Sequence, residues 1–231
     1  IYLMVIAFTL SSSVIWAQLV SGGSVTITQG ESGTRAVLYD QLETFNFARP
    51  SQDFSLSYPT YTCWGAEDFI VSAGEQWTIE SLFIPGNGAC DLVNVDFYDD
   101  LGGYPSETPF ASFSAIPAVA SGTGNLDIDL VPFGSMILNA GHYWFSVQDA
   151  SDFNVYGQWF WGMNATIYND QGHWRNPGGG FGLGAPTFTD VNTVFGDTYD
   201  FAFQLNGTGA VVEIAGYALN GGGQTVAGVT V

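Results

Sequence analysis

The chain has no lysine and only three arginines, Arg35, Arg49 and Arg175, against 22 aspartates and glutamates in 231 residues. Its formal net charge is −19. A field of that sign repels phosphate backbones and anionic lipid surfaces, which excludes nucleic acid as a partner. It also leaves trypsin-like proteases few places to cut. Charged residues of both signs make up 11% of the chain. Hydrophobic residues at 46% and aromatics at 16% are ample for a core, so a folded chain is expected. The acidic excess suits solubility outside the cell, divalent cation binding, or both.

Cysteine and histidine are equally scarce. Cys63 and Cys90 stand 27 residues apart, with no C-x-x-C spacing and no histidine nearby, so a structural zinc site is not indicated. In an oxidising compartment they would form one disulfide, worth ~3.5 kcal/mol by loop-closure entropy. Two buried free thiols are the alternative. The only histidines are His142 and His173, and neither G-x-S-x-G nor H-E-x-x-H occurs. Asp127 and Asp129 could pair as glycosidase carboxylates, but they read more simply as the wet face of a strand. No catalytic residue is assigned and a non-enzymatic protein is expected.

Helical periodicity is nearly absent; period-two alternation recurs instead. In QWTIESLFI, Trp77, Ile79, Ser81 and Phe83 share a face. Val93, Val95 and Phe97 do so in DLVNVDFYDD, and Leu126, Ile128 and Leu130 in GNLDIDLVPF. Tyr143, Phe145 and Val147 follow in GHYWFSVQD, then Tyr199, Phe201, Phe203 and Leu205 in TYDFAFQLNG. Turn clusters such as IPGNGA, DDLGGYPSETP and NPGGG separate these runs. The fold class expected is all-β: an antiparallel β-sandwich, of jelly-roll or immunoglobulin-like two-sheet architecture.

Four stretches are distinguished. Residues 1–17 are apolar and resemble a secretory signal with cleavage after Ala17; a retained assembly segment is the equal alternative. The run is too short and too serine-interrupted for a stable membrane span. Residues 18–60 mix short strands with a loop rich in Ser, Phe and Tyr. Residues 61–209 form the sandwich core. Residues 210–231 carry strands that could be exchanged with a neighbour.

Several segments together carry a resemblance: DFIVSAGEQWTIESLFI (68–84), VDFYDDLGGYPSETP (95–109), LNAGHYWFSVQ (138–148), WFWG (159–162) and WRNPGGGFG (174–182). In this order they resemble a β-sandwich module that recurs in secreted and cell-surface bacterial proteins. The likeness covers roughly 65–208, and WRNPGGGFG is its most specific part. It implies a fold and an extracellular or cell-surface setting, and it carries over no catalytic residues.

Candidate sites follow from residue type and spacing. Asp96, Asp99 and Asp100, ahead of Gly102 and Gly103, offer carboxylates for Ca²⁺, the one candidate cofactor; a solvated, self-capped turn is the alternative. Tyr156, Trp159, Trp161 and Trp174, with Arg175, could form an aromatic platform for sugar rings, or could be core packing. Asn164 and Asn206 open N-x-[ST] sequons suited to glycosylation. Ile1, Tyr2, Leu3, Val5, Ile6 and Phe8, with Val226, Val229 and Val231, are candidate assembly contacts between copies of the chain. The function expected is a structural protein that self-assembles into a surface fibre or sheath by strand or apolar-segment exchange. The alternative is a carbohydrate-binding module with glycans as partners.

Overall fold

A computed structural model describes residues 24–29, 35–44, 47–196, 198–215, 218–219 and 225–226, with side-chain surroundings for 35–44, 47–196 and 198–211. The first elements are β1 (Ser24–Gln29), β2 (Ala36–Asp40), β3 (Phe47–Pro50), β4 (Trp64–Ile84), β5 (Gly86–Asn87) and β6 (Leu92–Asp99). Next come β7 (Ala111–Pro117), β8 (Leu126–Asp129), β9 (Met136–Asp149) and the short helix α1 (Phe153–Tyr156). After β10 (Phe160–Asn164), β11 (His173–Arg175) and β12 (Thr189–Asp190) lies helix α2 (Val191–Phe195). The chain continues through β13 (Asp200–Phe201), β14 (Gln204–Ala215), β15 (Ala218–Leu219) and β16 (Thr225–Val226).

The protein is an all-β sandwich. Its main sheet runs β1-β14-β4-β9-β6-β7, with β2 added to β14 and both β8 and β11 added to β4. The second sheet runs β13-β10-β3, with β5 on β10. The named strands pair antiparallel throughout. Strands β2 and β3, from the amino-terminal stretch, belong to these two sheets through β14 and β10. Between the layers the rings interlock: Phe145 lies 5.5 Å from Trp161 and 4.7 Å from Phe203, and Trp161 lies 4.7 Å from Phe201. All four are fully buried. Each such aromatic side chain contributes roughly 2–3 kcal/mol through apolar area removed from water.

β4 is the spine. Its first half pairs with the end of β9 and with β11, and its second half with the start of β9, with β14 and with β8. Two irregularities let one strand do this. The register with β9 jumps from Val71 to Gln76, where Gly74 takes φ 83°. Against β14, Ser81 pairs with Asn206 while Ile79 pairs with Gly207, so Glu80 is an extra residue. That bulge reverses the alternation. Ile79, Leu82 and Ile84 point into the core, and Phe83, expected on the Trp77–Ile79 face, is only partly buried.

β9 departs from one-sided burial too. Phe145 and Val147 face the sandwich core, yet Trp144, Ser146 and Gln148 on the opposite face are also buried. There Trp144 packs with Tyr98, Ala66 and Phe188, a second small core beneath β11 and the loops around it. The expected disulfide does not form: Cys63 and Cys90 are free and buried. Cys63 Sγ sits 3.4 Å from the Pro50 carbonyl and Cys90 Sγ 3.4 Å from the Leu92 carbonyl. Each thiol is thus turned onto its own stretch of backbone. Burial pushes the Cys63 thiol up to about 12 and raises Cys90 as well, so neither has thiolate character at neutral pH.

Candidate functional site

Trp159, Trp161 and Trp174 are all fully buried, so the platform anticipated around them is not formed. The reason lies in their indole N–H groups, which donate to backbone carbonyls of other elements. Trp159 reaches Gly124 O at 2.8 Å, Trp161 reaches Ala202 O at 2.8 Å, and Trp174 reaches Pro50 O at 2.7 Å. They are internal anchors. Arg175 is likewise committed: its guanidinium lies over the Trp64 and Phe188 rings and donates to Glu107 Oε2 at 2.9 Å. Tyr156 alone of that set keeps an exposed ring.

Two exposed tyrosines, Tyr58 and Tyr61, meet less exposed rings elsewhere. Asn176, at the start of the Asn-Pro-Gly-Gly-Gly loop, is buried and donates from Nδ2 to Thr60 O at 2.8 Å and Thr62 O at 2.9 Å. Gly180 N donates to Thr60 O at 2.8 Å. The loop lies so flat on the Pro59–Tyr61 turn that a Cβ on Gly178 or Gly180 would meet Thr60 backbone at 2.6 or 2.7 Å. The glycines are therefore required by close approach. Docked this way, the loop sets Phe181 5.2 Å from Tyr61, edge to face. Tyr58 meets Phe153 of α1 at 5.5 Å in the same manner. Phe54 forms the floor, and Gln158 supplies an amide. Together these six side chains line an open cup of about 320 Å³, in the size range of small-molecule sites. None of the six carries a formal charge. Sequence reading noted a Ser/Phe/Tyr-rich loop before residue 61 but had no signal that it would meet residues 153 and 181.

A second constellation joins β4, β9 and the loop after β10. Ligand-type atoms of Asp68, His142 and Asp170 all lie within 4.8 Å of one another. His142 Nε2 and Asp68 Oδ2 are 2.5 Å apart, and this bond raises the imidazole above its ordinary value. Asp68 is fully buried, which raises its carboxyl, while His142 pulls it back down. On the other ring nitrogen, Asp100 Oδ1 lies 3.6 Å from His142 Nδ1. Burial alone would raise Asp100; N–H groups of Trp144, Gly103 and Gly102 hold it below the usual range instead. Deeper in, Asp200 accepts from Tyr168 N at 2.5 Å and Gly172 N at 2.8 Å, gripping the loop on both sides of Asp170. Burial pushes Asp200 up to about 7. Sequence reading missed this group because its members come from three distant segments. The available signal was Glu67-Asp68, an acidic pair inside an otherwise apolar strand.

The remaining candidates are placed as follows. Asp96, Asp99 and Asp100 do not converge as a ligand set: Asp96 accepts from Tyr98 Oη at 3.4 Å, whereas Asp100 caps its own turn through Gly102 and Gly103. Asn164 is unsuited to carry a glycan in the folded protein. Its side chain is buried, donates to Gln41 O and accepts from Glu43 N at 3.2 Å. Asn206 lies half-buried within β14. Ile1, Tyr2, Leu3, Val5, Ile6, Phe8, Val229 and Val231 lie outside the described residues, and Val226 is described only as backbone of β16. Asp127 is exposed on the outer face of β8, and Asp129 binds Arg35 at 2.7 Å.

No family model matches this chain, and no curated protein matches it. Among solved structures that show a partial likeness are two of the same protein. One comprises the cysteine protease and lectin-like domains of Cwp84, a surface layer associated protein of Clostridium difficile, with 17% identity and a TM-score of 0.41. That match covers 64% of this chain and 32% of the other. The second is a variant of the clostridial cysteine protease Cwp84 after propeptide cleavage, with 15% identity and a TM-score of 0.44, covering 87% of this chain and 42% of that one. This chain thus spans about a third to two-fifths of those chains. Likenesses at this level assign no residue roles.

Proposed function

We propose that this protein is an extracellular β-sandwich binding module whose aromatic cup holds a neutral glycan. The observation that carries the reading is the cup itself: half-exposed Tyr58 and Tyr61 stand beside Phe153 and Phe181 over Phe54, with the Gln158 amide within reach. Aromatic faces suit the C–H surfaces of sugar rings, and an amide fixes hydroxyl orientation. The absence of charge in the lining, together with the chain's net −19, disfavours acidic sugars. Titration calorimetry against neutral and acidic oligosaccharides tests this. Neutral ligands should bind, and Tyr61→Ala or Phe181→Ala should weaken them at least tenfold. Binding unaffected by the Tyr58→Ala/Tyr61→Ala pair would remove the cup from consideration.

Self-assembly into a surface fibre or sheath is the second reading. Its support is the position of β1 at the outer edge of the main sheet, close behind the apolar 1–17 segment. Negative-stain images of native material showing only monodisperse monomers would dispose of it.

A further inference from the structure

We propose that Asp68, His142 and Asp170 bind one borderline divalent cation, Zn²⁺ by preference, at a site independent of the aromatic cup. Three observations support this. The first is geometric: a nitrogen and two carboxylate oxygens from three separate segments already lie within 4.8 Å of one another. Around Zn²⁺, ligand distances of about 2.0–2.2 Å put tetrahedral ligand atoms roughly 3.3 Å apart. Reaching that arrangement requires His142 Nε2 and Asp68 Oδ2 to part slightly from 2.5 Å. Asp170 Oδ2, 3.9 Å from the same nitrogen, must move slightly inward. The cation takes the place of the proton shared between His142 and Asp68, and that proton leaves to solvent.

The second observation is an unanswered donor demand at the floor of the group. Asp68 is fully buried, and its Oδ1 has no hydrogen-bond partner among the described residues. A buried carboxylate oxygen without a partner is costly unless a cation or donor meets it. The chain supplies few. Arg35 binds Glu80 and Asp129, Arg175 binds Glu107, and Arg49 lies over the Phe195 ring. Meanwhile Glu67 and Asp200 add two more buried carboxyls directly behind Asp68.

The third observation is that the surroundings hold the three groups in place and leave one side open. Asp200 clasps the backbone at Tyr168 and Gly172, fixing the loop that presents Asp170. Gly172 packs closely here, since a Cβ there would meet Glu67 Oε2 at 2.7 Å and Phe201 Cδ2 at 3.0 Å, so one of these side chains would have to shift. Asp100, itself fixed by the Trp144 indole, stands beside His142 Nδ1 and leaves Nε2 for the ion. The Asp170 side chain is 45% exposed, which provides the entry path. An imidazole among so few oxygens suits a borderline ion better than Ca²⁺, which takes six to eight oxygens.

The test uses the full chain, freed of metal by chelator and titrated with ZnCl₂ by calorimetry. One Zn²⁺ per chain is expected, with tenfold or greater weakening in Asp170→Asn and in His142→Ala, and no change in Asp127→Asn, an exposed acid elsewhere. Imidazole ¹⁵N spectra should show the His142 Nε2 signal, and not Nδ1, moving on addition of metal. Asp170→Asn removes only a half-exposed carboxylate, so it keeps the test valid if His142→Ala fails to fold. Absence of saturable binding, equal affinity in Asp170→Asn, or displacement of Zn²⁺ by an equal concentration of Ca²⁺ would overturn the proposal.

Discussion

Gly178→Ala should separate close approach from backbone conformation in the Asn-Pro-Gly-Gly-Gly loop. The added Cβ would lie 2.6 Å from Thr60 Cα and 2.7 Å from Thr60 O, both backbone atoms that cannot swing aside. Ordinary contact begins near 3.4 Å, so the loop must retreat by about 0.8 Å. Its bonds from Asn176 Nδ2 and Gly180 N to the Thr60 and Thr62 carbonyls, now 2.8–2.9 Å, would then stretch beyond useful length. Three such bonds at ~1 kcal/mol each, or the clash itself at about 1–3 kcal/mol if the loop stays, both give a loss near 2–3 kcal/mol. For a chain of this size that lowers Tm by roughly 4–12 °C. The neighbour Gly179 is the control. It has open space around it and φ +69°, so Gly179→Ala meets only backbone strain of about 1 kcal/mol. Denaturant unfolding of both variants, followed by tryptophan fluorescence, measures the difference; Trp174 lies 5.6 Å from Phe181 and reports on the loop. A Gly178→Ala protein as stable as Gly179→Ala would refute the close-approach account.

Trp174→Ala should cost about 3–5 kcal/mol, because it leaves a cavity beside Phe181 and Phe195 and leaves the Pro50 carbonyl with the weaker Cys63 thiol as its side-chain donor; denaturant melts measure it, and a loss under 1 kcal/mol would contradict the anchor role. Burial raises the Asp149 carboxyl in the folded state, so its contribution to stability is fully present below the unfolded value near 3.9 and is lost as pH rises through the folded value. Asp149→Asn should therefore flatten the fall in Tm as pH rises above the ordinary carboxylate range, and an unchanged slope would count against burial as the cause. Reduction should leave Tm unchanged, since Cys63 and Cys90 are unpaired, and both thiols should react with a thiol reagent only after unfolding. A drop in Tm on reduction would show that they are bridged.

Alternation exposed the sandwich because each strand must present one face to the core, and Val93, Val95, Phe97, Leu126, Ile128 and Leu130 are buried as their spacing indicates. The parity error at Phe83 has a local cause, an extra residue at Glu80 set by β14 across the sheet, which period-two reading of one strand cannot register. Burial of Trp144 and Ser146 was hidden for a different reason: their cover comes from β11, β12 and the loops beside them. The same non-local origin concealed both sites. Tyr61 and Phe181 are 120 positions apart in the chain, and Asp68 and Asp170 are 102 apart. Tryptophan clustering in 159–174 drew attention to residues whose N–H groups satisfy backbone inside the fold.

The reach of β4 has a consequence for how the chain is made. One strand contacts β8, β9, β11 and β14, and β14 begins at Gln204, 120 positions beyond the end of β4 at Ile84. Until that stretch has left the ribosome, β4 exposes an unpaired edge along Glu75–Phe83. The sandwich therefore cannot close until β14 has been made, and it closes on distant pairings, which is slow and leaves a sticky edge during the wait. A truncation before residue 204 is expected to yield an aggregating fragment rather than a smaller domain.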